Sequence, residues 1–179
     1  MNDPRAVANY IVELAHEDAR PVTNIVLQKL VYFSHAFFLL ENGRPLVTGY
    51  FEAWTYGPVH PAVYKAFREF GAKPITSAAV KHDLITGVTT PIPTIDNNEA
   101  RRSIRSVMAN YARLSAGQLV ELSHAINGPW HFTVENAKNN ANIGLRITDD
   151  VTRERFKFLK LAIGKRSEKG EPDEDTPFS

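Results

Sequence analysis

Six imidazoles, His16, His35, His60, His82, His124 and His131, are the side chains best suited to act as a base or a metal ligand in this 179-residue chain. There is no cysteine, which excludes disulfides, thiolate zinc sites and a cysteine nucleophile. The histidines are scattered over separate segments, and no HExxH-like pair puts two of them on one helical face. They read as surface or internally hydrogen-bonded histidines, and His16-Glu17-Asp18 reads as a helix end. Ser34-His35 and Ser123-His124 carry the residue types of a nucleophile and its base. Neighbouring helical residues point about 100° apart, so neither pair forms a dyad by itself. No GxSxG elbow and no phosphate-cradling glycine loop occurs. The reading is therefore a chain with no catalytic residues, no metal site and no cofactor.

Polar residues inside an apolar helix are more informative. Gln28, Tyr32 and His35 fall at i, i+4 and i+7, so they share a face, and Lys29 adjoins it. A buried polar group left unpaired costs about 1–3 kcal/mol. The stripe is thus either exposed and binds something, or forms an internal network. Trp54, Tyr56, Pro58 and Tyr64 add aromatic and rigid residues nearby; aromatics are mostly core, but a grouped, exposed set suits a protein interface. Arg101, Arg102, Arg105 and Arg113 lie opposite the apolar stripe of a later helix. They are either a solvated face or a basic contact patch. With no reader motif and no interleaved aromatics, a protein suits that patch better than nucleic acid.

The elements that must position these residues follow from periodicity and caps. Asp3 and Pro4 start a first helix with Val7, Tyr10, Ile11, Leu14 and Ala15 on one face; Pro21 bounds it. Thr23 or Asn24 starts a second, reaching Glu41 and ended by Gly43 and Pro45. It is apolar almost all round, so it belongs at the centre of a domain. Residues 49–55 alternate like a short strand, Tyr56-Gly57-Pro58 reads as a turn, and a third helix begins near Val59. A strand near 84–90, closed by Pro91 and Pro93, is the expectation for the irregular middle. Asp96 or Asn97 opens a fourth helix, and Ser115 with Gln118 forms a capping box for a fifth. A short helix over 131–138 and a last one from Thr148 or Asp149 complete the series. The expected fold is mostly α (α+β), a compact bundle of about six helices around a central apolar helix, with a small β element.

Composition agrees. Apolar residues make up 43% and charged residues 23%, with net charge +1, the balance of one globular domain without a strong field toward nucleic acid. The first ten residues lack a signal-peptide pattern, and the apolar run from Ile25 to Leu40 is too short and polar to span a bilayer. A soluble cytoplasmic protein with no membrane partner is expected. Beyond Gly164 the composition turns to charged and polar residues, expected as a disordered tail over 165–179 after a domain over 1–164.

LQKLVYFSHAFFL (Leu27 to Leu39) followed by YFEAWTYGPVHPAVYKAFREFG (Tyr50 to Gly71) resembles the Panacea domain, also called the SocA-like or GepA-like antitoxin domain. Gly128-Pro129-Trp130 is similar to its Pro-Trp motif, and residues 147–158 to its closing isoleucine and helix. The likeness runs from about residue 4 to 163, except over 73–98. It implies an antitoxin that neutralises a cognate toxin protein by direct binding. Some members of the family act as adaptors delivering the toxin to an ATP-dependent protease, and some carry an added DNA-binding domain, for which this chain has no room. An enzyme using the Gln28–His35 stripe is the remaining alternative. On this reading Gln28, Lys29, Tyr32, His35, Trp54, Tyr56, Tyr64, Arg102 and Arg105 are the expected partner contacts. Gly57, Pro58 and Trp130 are expected to be structural.

Overall fold

The computed structural model describes residues 1–83, 85–137, 144–157 and 159. The tail expected over 165–179 lies outside the described residues. Helix α1 (Pro4–Glu17) begins as its sequence dictates: Asp3 caps it by accepting the Arg5 N–H at 2.8 Å, with proline at the first turn. Its apolar stripe packs on α2 (Asn24–Asn42). In α2, Leu27, Leu30, Val31, Tyr32, Ala36 and Leu39 have no exposure at all. Gly43 ends the helix in the left-handed region at φ 66°, where glycine meets no Cβ penalty. Thr23 stands at the N-cap without a side-chain capping bond.

After α2 the chain forms a hairpin of β1 (Phe51–Trp54) and β2 (Gly57–Val59), paired from Glu52 with Val59 to Trp54 with Gly57. Thr55 and Tyr56 make the turn, so Gly57 and Pro58 belong to the second strand rather than to the turn expected for them. Then α3 (Pro61–Phe67) runs into a 3-10 turn, Arg68–Phe70. The irregular middle holds a second hairpin, β3 (Val80–His82) with β4 (Thr89–Pro91). Instead of the single expected strand there are two, and Pro91 lies within one of them. Both strands are exposed along their length, so the pleat has no buried face to leave a pattern in the sequence.

Helix α4 (Asn98–Tyr111) is capped by Asn97, and α5 (Ala116–Ser123) by the Ser115–Gln118 capping box. Helix α6 (Pro129–Ala137) follows. The short strand β5 (Arg146–Ile147) adds to the free edge of β1, giving the antiparallel order β2-β1-β5. Last comes α7 (Asp149–Arg155), capped by Thr148. Among the described residues the molecule is mostly helical, with seven α-helices where about six were expected. Helices α1, α3, α4, α5 and α7 and strand β2 all pack on α2, which is therefore the central helix that its apolar sequence predicts.

Candidate functional site

The polar stripe of α2 points inward. Gln28 is 2% exposed, Lys29 1%, Tyr32 0% and His35 3%. The Gln28 side-chain oxygen accepts the His60 N–H at 2.9 Å, tying α2 to the start of α3. His35 Nε2 meets Asp149 Oδ1 at 3.0 Å, and its ring stands edge-on to Phe51 with centroids 5.1 Å apart. That hydrogen bond holds the Asp149 carboxyl below its ordinary value. The Tyr32 ring packs on Phe51 and Phe156; burial pushes its hydroxyl pKa well up. The stripe is buried rather than exposed, with Gln28 tied to His60 and His35 to Asp149. Tyr32 and His35 are enclosed by the helices and the hairpin on that side, and Gln28 keeps only a small exposed edge.

Lys29 is the unusual member. Its Nζ donates to the Pro58 carbonyl at a long 3.3 Å, and burial alone pushes its pKa down to about 7. Gly57, at φ 99°, lies against it: a Cβ there would collide with Ser123 Oγ and stand 2.9 Å from Lys29 Cε. The glycine thus lets the hairpin backbone close over the lysine stem and α5. Next to Ser123, the His124 ring stacks on Trp130 with centroids 3.8 Å apart. Burial lowers His124 to about 4, with the charges of Lys29 and His131 adding to the effect. Trp130 Nε1 donates to the Trp54 carbonyl at 2.9 Å, so it pins α6 to the end of β1.

Trp54, Tyr56 and Tyr64, all half-buried, come together on one wall of a surface cleft. Trp54 and Tyr64 meet edge to face at 4.7 Å, and the indole N–H of Trp54 donates to Glu52 at 2.7 Å. The first turns of α2 supply the opposite wall through Asn24, Ile25, Gln28 and Lys29, and Arg68 and Gly71 close the end; the cleft is narrow, holding about 40 Å³. Arg68 and Asn24 were not among the expected contacts. They lie 14 residues and 30 residues from Trp54 in sequence, and only tertiary packing makes them neighbours of it. Two of the arginines on and beside α4 are engaged internally. Arg105 Nε donates to the Tyr10 hydroxyl at 2.7 Å, and Arg101 to the Ile95 carbonyl at 2.7 Å. Both fasten α4 to its own neighbours, while Arg102, Arg105 and Arg113 are all exposed.

Comparison with known proteins gives these features a context. The family model described as "Antitoxin SocA-like, Panacea domain" matches residues 27–131. The chain belongs to the SocA-like antitoxin family. An Antitoxin SocA of Caulobacter vibrioides (strain NA1000 / CB15N) is 41% identical over 177 residues, covering 99% of this chain and 94% of that relative. No solved structure matches. The matched Panacea segment begins at Leu27 and ends at His131. It takes in most of α2, the β1–β2 hairpin, all of the aromatic cleft's lining but Asn24 and Ile25, and the exposed β3–β4 hairpin. Helix α7, which reaches the Panacea core through His35–Asp149, lies outside that segment, but the likeness to the Caulobacter relative extends over it. Among the described residues there is no cluster of three metal-ligating side chains and no helix long and apolar enough to cross a membrane.

Proposed function

We propose that the protein is the antitoxin of a toxin–antitoxin pair and neutralises its toxin, in the cytoplasm, by direct protein–protein binding. The observation that carries the reading is the 41% identity to Antitoxin SocA over 99% of this chain. The site chemistry is in keeping with it. Gln28 and His35 of α2 are tied internally to His60 and Asp149, and the grouped aromatics Trp54, Tyr56 and Tyr64 flank an open cleft of the kind that anchors a partner.

The test is co-expression with the product of the neighbouring gene. That product alone should arrest growth, and this chain should restore it in stoichiometric complex with the toxin. A harmless neighbour, or a toxin that stays active beside this chain, sinks the reading. Toxin half-life in cells with and without an ATP-dependent protease separates direct inhibition from delivery: direct inhibition leaves the half-life unchanged.

A further inference from the structure

The aromatic cleft has a charge pattern that its walls do not balance. Two cationic side chains line it, Lys29 on the wall made by α2 and Arg68 after α3, and no carboxylate is among its lining residues. Lys29 is 1% exposed, and its ammonium has one long bond to a carbonyl and no acidic partner among the described residues. Below about pH 7, where Lys29 holds its proton, a cation in such a place lowers the free energy of an anion entering beside it, because the low-dielectric surroundings screen the attraction poorly. Arg68 is exposed and makes no ion pair among the described residues, so its planar fork is available to a carboxylate. Trp54, Tyr56 and Tyr64 supply apolar area beside that charge.

We propose that this cleft receives a carboxylate side chain of the toxin, an aspartate or glutamate next to an apolar residue. Arg68 grips the carboxylate, the buried Lys29 strengthens the field around it, and Trp54 with Tyr64 cover the apolar neighbour. The proposal rests on the antitoxin reading and adds to it the chemistry of the contact.

The experiment titrates the full chain with purified toxin by calorimetry, at low and high salt, alongside Arg68→Glu and Lys29→Met variants whose folding is followed by thermal melting. The expected result is a salt-sensitive wild-type affinity. Arg68→Glu should weaken it about tenfold or more without a change in melting temperature, since the residue is exposed. Lys29→Met should weaken it too while remaining folded. Replacing one toxin Asp or Glu by Lys should restore binding to Arg68→Glu and to no other variant. Wild-type affinity in both variants, or the lack of any restoring toxin substitution, overturns the proposal while leaving the antitoxin reading intact. A wild-type chain that does not bind the toxin defeats that reading instead. If light scattering shows the chain alone to be a dimer that Arg68→Glu dissolves, the occupant is a second copy and the proposal is overturned.

Discussion

Gly57 and Lys29 make one device at the residue scale. The hairpin backbone passes close over a buried lysine stem only because position 57 lacks a Cβ and sits at φ 99°. Gly57→Ala introduces two costs at once, a left-handed backbone for a residue with a side chain and a collision with Ser123 Oγ and Lys29 Cε. The expected loss is roughly 2–4 kcal/mol, measured as a lower urea midpoint at unchanged slope. A midpoint equal to that of the wild type would show that β2 shifts freely, and would undo the idea of a tight seat. The residue types of this device were legible early, since Gly57-Pro58 and Lys29 stand out in the sequence. Their relation was not. A stripe at i, i+4 and i+7 is identical in print whether it faces water or a hairpin, and here β2, α3 and α7 decide the matter by covering it.

At the scale of elements, the caps and periodicities carried most of the fold. Asp3, Asn97, Ser115 and Thr148 each start a helix through a side-chain acceptor, and the all-round apolar sequence of α2 puts it at the centre. The β3–β4 hairpin was not legible, because its strands are exposed on both faces and no alternation marks them. Nor was β5, two residues whose pairing to Phe51 and Glu52 depends on a partner about 95 positions away. One side chain of α1 clamps the start of the hairpin. Asn9 donates to the Ala79 carbonyl at 2.9 Å and accepts the Ala79 N–H at 2.7 Å, which imitates one rung of a strand ladder. Beyond that clamp the hairpin carries Ile85, 96% exposed, and Val88, 54% exposed. Asn9→Ala should therefore cost about 1–3 kcal/mol, and amide exchange of residues 80–91 should accelerate more than exchange in α2. Equal acceleration everywhere would mean that Asn9 supports the whole fold rather than this one element.

For the whole molecule, the perturbed titratable groups together set the response to pH, three of them favouring higher pH and one opposing it. Asp149 is held below its ordinary value by His35, so its contribution is present above the usual carboxylate range and lost as acid protonates it. His124 is pushed from 6.5 to about 4 by burial; between those values the unfolded chain binds the extra proton, and stability rises with pH. Lys29 repeats the argument higher up, between about 7 and its ordinary 10.5. In that window the unfolded state again holds more protons, and the gain is on the order of a few kcal/mol. Tyr32 reverses the sign: its raised pKa means that above pH 10 the unfolded state sheds a proton that the folded state keeps. The expected profile is a melting temperature that climbs from acid through neutrality, peaks near pH 9–10 and then falls. Lys29→Met should flatten the climb above pH 7 and leave the acid limb unchanged. It should also raise stability at neutral pH, since an apolar chain of similar length replaces a buried cation that has no counter-charge. Melting curves of both proteins across pH 4–11 check this, and a wild-type profile that is flat from pH 7 to 10 would show that Lys29 reaches water in solution.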